Sequence, residues 1–230
     1  MNQGKLDTVK MEMARMKISI LGISELKWTG MGHFQSGDYK VFYAGHDANR
    51  KNGVALIVEK ETANAVMGYN PKNDRMISIQ IQGHPINLTI IQVYAPTTDA
   101  DEDAREAFYS ELQQLIDSTP KKDAILIIGD WNAKVGEKEE PGKAGKEGLG
   151  YRNEAGDRLM EFCHENCLCI MNTWSSSPKE DLTPGPHQMG SVETKLITYF
   201  AVDDGKAQYC QQRHVQEQTV AQTMNCYYQS

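Results

Sequence analysis

Ala124-Ile125-Leu126-Ile127-Ile128-Gly129-Asp130-Trp131-Asn132 decides the fold. An unbroken apolar run of five residues with this much isoleucine reads as a strand buried on both faces, the kind found in sheets covered by helices. The strand ends in a carboxylate and an amide, and strand tips are where such folds display their chemistry. Asp130 and Asn132 lie two apart, so continued extended geometry points them to the same side. There they would form a pair suited to orienting a water and hydrogen-bonding a phosphoryl oxygen.

Upstream of that run, apolar and β-branched stretches predict strands over residues 40–44, 54–58, 76–81 and 86–94. The acidic start of residues 103–117 suits the positive end of a helix dipole. Leu6, Val9, Met13 and Met16 recur at helical spacing and predict an opening amphipathic helix, followed by a short strand over 18–21 and then Glu25. Downstream, a Gly- and Lys-rich loop over 135–150 leads to a helix over 153–165 and a strand over 168–172. The lysines between Lys134 and Lys146 read as a solvated charge run before they read as phosphate ligands. Strands alternating with helices give an α/β class.

The chain has 230 residues, 40% of them hydrophobic, enough for one large domain with a real core. Its net charge of -7 excludes the global basic footprint of many nucleic-acid binders and leaves DNA to be met through local loops. Five cysteines without a repeating spacing predict reduced thiols, and Cys163 and Cys167 are expected on the core face of one helix rather than on a metal. The polar N-terminal residues hold no signal-peptide core and no run reaches membrane length. An intracellular protein of nucleus or cytoplasm, not secreted, is expected.

Three strand ends carry polar groups: Glu25, Tyr94 in Val93-Tyr94-Ala95-Pro96, and Asp130 with Asn132. Each alone is an ordinary strand exit. Together they resemble, in order and spacing, the endonuclease/exonuclease/phosphatase family. Ile23-Ser24-Glu25 is similar to its metal-binding motif, Val93 to Pro96 to its phosphate-contacting motif, and Gly129 to Asn132 to its Gly-Asp-aromatic-Asn motif. The stretches 21–30 and 129–136 resemble most the RTE-type LINE retrotransposon endonucleases.

The resemblance implies two mixed β-sheets packed as a sandwich with helices outside. It implies Mg²⁺, or Mn²⁺ in its place, held by Glu25, with Asp130, Asn132 and Tyr94 as catalytic residues and the phosphodiester backbone of DNA as partner. It implies neither a membrane nor an obligate protein partner. Phosphatase or sphingomyelinase-like chemistry on the same fold, and a non-enzymatic remnant of a retroelement-derived exon, are the alternatives. Trp28-Thr29-Gly30 favours the retroelement branch.

Two departures shape the expectation. The family's opening strand with its Asn would precede Met1, and the closing Ile-Asp-Tyr and Ser-Asp-His motifs are not found after Trp174, where His187 and His214 follow no Asp. The genetic code offers a reason for the second. Back-translating Ala221-Gln222-Thr223-Met224-Asn225-Cys226 and reading from the third base of the first codon permits Ser-Asp-His-Glu-Leu. The same offset permits Gln-Ile-Asp-Tyr-Ile-Leu-Cys from Thr194 to Ala201, and Tyr-Thr-Trp-Thr-Ser-Pro-Asp within Lys179 to Met189. The expected organisation is therefore a truncated endonuclease-like domain over 1–174 and a frameshifted, poorly ordered tail over 175–230. The sandwich would be incomplete at both ends, and the copy weak or inactive.

Overall fold

The computed structural model describes residues 3–148 and 150–174. Two four-stranded sheets pack face to face, and helices cover their outer faces. The first sheet has the order β1-β4-β3-β2, with β1 at Ile20–Ile23, β2 at Met31–Ser36, β3 at Tyr39–Ala44 and β4 at Val54–Glu59. The second has the order β5-β6-β7-β8, with β5 at Val66–Asn73, β6 at Met76–Ile81, β7 at Leu88–Tyr94 and β8 at Ala124–Asp130. Only the β7–β8 pair is parallel, so the second sheet is mixed and the first antiparallel. The crossover between β7 and β8 is helix α3, Glu102–Asp117.

Strand periodicity sorts the side chains into layers. Val54, Leu56 and Val58 face inward from β4 to meet Ile77, Ile79 and Ile81 of β6, with Leu126 and Ile128 of β8 in the same inter-sheet core. Their alternates face outward. Ala55 and Ile57 pack with Val41 under helix α1 (Gln3–Met16), through its Leu6 and Met13. Ile91, Val93, Ile125 and Ile127 pack under α3 and helix α4 (Glu154–Glu165), through Leu112, Leu115, Leu159 and Phe162. Each such side chain, fully buried, contributes roughly 1.5–3 kcal/mol. The run 124–128 is apolar throughout because one parity fills the inter-sheet core and the other the helix layer.

The helices are capped as their sequences require. Asp101 accepts from Ala104 N at 2.7 Å at the start of α3. Asn153 Oδ1 accepts from Gly156 N and Lys134 N, both at 2.9 Å, tying the start of α4 to the segment leaving β8. A Cβ at Gly156 would stand 1.9 Å from Lys134 O, so that approach requires glycine.

The structure corrects several expectations. Residues 168–172 form no strand: Ile170 makes one bridge to Ala144, and Met171–Thr173 is a turn of 3-10 helix. Strands β2 and β5 and the five-residue helix α2, Lys60–Asn64, were not legible. Cys163 is buried on α4, but Cys167 lies beyond the helix end, exposed and at φ 53°, so the two share no helix face. Met16 is 44% exposed, leaving Leu6 and Met13 as the buried face of α1. Within the loop after β8, Lys143 donates to Cys163 O at 3.0 Å and is structural. Among the described residues no helix is long and apolar enough to cross a membrane. The expectations for residues 175–230 lie outside the described residues.

Candidate active site

β7 and β8 run parallel with Tyr94 in register with Asp130, so both arrive at the same edge of the second sheet. Gly129 makes this possible. Its φ is 142°, and a Cβ there would stand 2.0 Å from Val93 O. Ala95 N donates to Asp130 O at 2.8 Å, carrying the pairing one step past the strand.

Beyond Asp130 the chain does not stay extended. Asn132 is left-handed at φ 45°, and its N–H donates to Asp130 Oδ1 at 3.0 Å. Trp131 turns to the helix layer and meets Phe108 edge-on at 6.2 Å. Asn132 is therefore brought to the site by a side-chain-closed turn, not by strand alternation. Its Nδ2 donates to Ala95 O at 2.8 Å, which leaves the second hydrogen of that amide for another acceptor.

Glu25 comes from the first sheet, two residues past β1. Tyr94 Oη donates to Glu25 Oε1 at 2.7 Å, and Lys27 Nζ lies 3.6 Å from Oε2. Glu25 and Lys27 both have positive φ, 53° and 57°, conformations held only where surroundings over-determine them. Here Leu26 N and Lys27 N donate to Gly53 O and Asn52 O at 2.9 and 2.8 Å. Gly53 N in turn donates to Asp74 O at 2.8 Å, at the head of β6. A second brace is internal: buried Gln92 donates from Nε2 to Ser24 Oγ at 3.0 Å. Gly22 makes room for it, since a Cβ there would meet Gln92 Oε1 at 1.8 Å.

Tyr94 is held neutral. Burial first, then its hydrogen bond to Glu25, pushes the phenol up to about 12, with Arg75 opposing. Arg75 stacks 5.2 Å from the Tyr94 ring and donates to Tyr94 O at 3.1 Å. Tyr94 is thus a donor at any working pH. The sequence pointed to Glu25, Tyr94, Asp130 and Asn132; Lys27, Arg75 and the bracing Gln92 were missed, and a lone Arg before a strand carries no signal of its own.

The donor chemistry fits a magnesium ion. Glu25 offers one carboxylate, with a side chain 55% exposed, and Mg²⁺ is bound by one or two carboxylates while keeping several waters. Among the described residues no group of three or more His, Cys, Asp and Glu is placed to hold a metal, the richer set that a structural zinc takes.

Comparison with known proteins agrees with the geometry. A family model described as endonuclease-reverse transcriptase matches residues 88–192. Craniofacial development protein 2 of Bos taurus is 59% identical over 182 residues, covering 79% of this chain and 31% of that protein. Over these residues the chain is similar to the endonuclease/exonuclease/phosphatase family. The Tragulus javanicus craniofacial development protein 2 is 58% identical over the same length, and the chain spans about a third of either relative, 31% and 32%. Among solved structures, the endonuclease domain of TRAS1, a telomere-specific non-LTR retrotransposon, superposes with TM-score 0.52 at 16% identity, covering 85% of this chain and 78% of that one. An AP endonuclease from Leishmania major gives 0.56 at 8% identity, over 87% and 74%. At such identities these likenesses show the endonuclease/exonuclease/phosphatase fold alone.

Proposed function

We propose that this site hydrolyses phosphodiester bonds of DNA with the help of Mg²⁺ or Mn²⁺. The observation that carries it is the 2.7 Å hydrogen bond from Tyr94 to Glu25, which joins the two sheets beside Asp130 and Asn132. Glu25 would hold a divalent cation, which would supply charge neutralisation and Lewis-acid polarisation of the phosphate. Asp130, turned by the Asn132 N–H on its Oδ1, offers its other oxygen to a water and takes that water's proton as it attacks phosphorus, while the ester P–O bond opposite breaks and the departing oxygen takes a proton from solvent water. Asn132 donates its second amide hydrogen to a non-bridging oxygen as negative charge grows on it, and Tyr94 does the same once its single hydroxyl hydrogen has turned from Glu25 to the phosphate. DNA is favoured over a phosphoinositide or sphingomyelin by the endonuclease-reverse transcriptase description of the matching family model and by the Trp28-Thr29-Gly30 stretch.

As a polypeptide of these 230 residues, the chain is expected to be weak or inactive. No Asp-His pair follows Trp174 in it, and losing one electrostatic partner commonly removes about 10²- to 10⁴-fold in rate. Nicking of supercoiled plasmid with Mg²⁺ tests both parts. The chain whose residues after Trp174 are translated in the alternative frame is expected to nick, and Asp130→Ala to abolish that nicking. Nicking indifferent to Asp130→Ala overturns the site. Asp130-dependent nicking by the 230-residue chain itself overturns its inactivity, and early stops in the alternative frame overturn the frameshift.

A further inference from the structure

Among the described residues, α1 is the helix packed on the outer face of the first sheet. Beside that helix opens a groove of about 760 Å³, lined by Lys5, Lys27, Trp28, Phe34, Tyr43 and Arg50. Three of these are aromatic and in mutual contact. Trp28 lies 5.8 Å from Phe34 and 5.5 Å from Tyr43, the second pair edge-on at 83°. Phe34 and Tyr43 lie 6.2 Å apart.

The backbone assembles this platform deliberately close to the active site. In the β2–β3 register Phe34 opposes Val41 and Gly32 opposes Tyr43, so Phe34 and Tyr43 are diagonal neighbours on one face. Glycine at 32 keeps the Tyr43 ring open from that side. Trp28 arrives three residues after Glu25, seated over Gly45, where a Cβ would stand 2.0 Å from Trp28 O. Phe34 is 36% exposed on an edge strand, an expensive place for a phenylalanine without a use.

The remaining lining is three cations and the neutral Thr29, in a chain whose net charge is -7. Lys27 belongs to both sites: it lines the groove and lies 3.6 Å from Glu25. Aromatic rings among cations are how proteins hold single-stranded nucleic acid, because an unpaired base offers a π-face that a duplex hides in its stack.

We propose that this groove binds an unpaired stretch of the DNA whose phosphate is placed at Glu25. Bases stack on Trp28, Phe34 and Tyr43, and Lys5, Lys27 and Arg50 take the neighbouring phosphates. The assignment rests on the phosphodiesterase reading of Glu25 and Asp130 and adds its substrate form: melted, flapped or mismatched DNA rather than intact duplex.

The test is fluorescence anisotropy with the 230-residue chain in EDTA, using one short labelled sequence as single-stranded DNA, as blunt duplex and as single-stranded RNA. Single-stranded DNA is expected to bind about tenfold tighter than duplex, and Phe34→Leu to weaken it about tenfold while leaving duplex binding unchanged. Arg50→Ala, on an exposed loop, is expected to weaken single-strand binding and to reduce its logarithmic salt slope by about 0.7. Equal binding of single strand and duplex overturns the proposal. So does single-strand binding that neither variant changes while circular dichroism shows both folded, and tighter binding of RNA overturns the choice of DNA. The binding assay in EDTA does not depend on cleavage, so Phe34-sensitive binding together with a frame-restored chain that, with Mg²⁺, cleaves neither supercoiled plasmid nor a flapped duplex overturns the phosphodiesterase reading and leaves the groove as a single-strand site.

Discussion

The two sheets supply the site in opposite styles. The second delivers Tyr94 and Asp130 from paired strand ends in continuous register, with the apolar runs behind them buried. The first delivers Glu25 and Lys27 from a half-exposed turn in which both residues hold positive φ. One half is placed by regular structure and the other by backbone strain that its braces sustain. The contrast teaches which changes reach the chemistry through folding and which reach it through local geometry alone.

The largest effect belongs to the regular half. Gly129→Ala puts a Cβ against Val93 O at a φ of 142°, and is expected to cost about 3 kcal/mol or more in urea unfolding, taking the fold with it. An alanine variant of unchanged midpoint would break the comparison at its root. Tyr94→Phe removes the donor that joins the halves. It is expected to lower stability by about 1.5–3 kcal/mol, as for a hydrogen bond to a charged group, and to weaken Mn²⁺ binding followed by proton relaxation.

In the strained half the sign reverses. Lys27→Gly relieves a left-handed residue and is expected to stabilise by about 0.5–1 kcal/mol in thermal melts, while weakening the groove; a destabilised variant would mean the turn holds no strain. An alkaline limb reads the Tyr94 donor by a second route. Tyr94 has a folded-state pKa raised to about 12 from 10.0, so its contribution is fully present below pH 10 and lost as pH rises from 10 toward 12. Tyr94→Phe should flatten that limb of a stability–pH curve.

Legibility follows the same division. β7, β8 and the tip at Asp130 could be read because both parities are buried, which writes a nearly continuous apolar run into residues 88–94 and an unbroken one into 124–128. β2 and β5 could not. Each is an edge strand exposed along half or more of its length, and their sequences MGHFQS and VMGYNPKN carry glycine, asparagine and proline where alternation was sought. Glu25, Tyr94, Asp130 and Asn132 were legible as types at strand ends. That Asn132 arrives by a turn was not, because the turn is written by Gly129 at positive φ and by Trp131 finding Phe108 across the helix layer. Arg75 and Gln92 act through tertiary neighbours, and no local pattern announces them.

Gln92 and Gly22 carry a mechanical consequence. The glutamine of β7 occupies the space that a side chain on β1 would need, so the sheets meet as a pin meets its hole. Sliding the sandwich by one residue pair would drive Ile20 or Ser24 onto the pin, since both share the parity of Gly22. The two halves of the site are therefore indexed to each other, and the distance from Tyr94 to Glu25 is set by a detent in the core rather than by either residue.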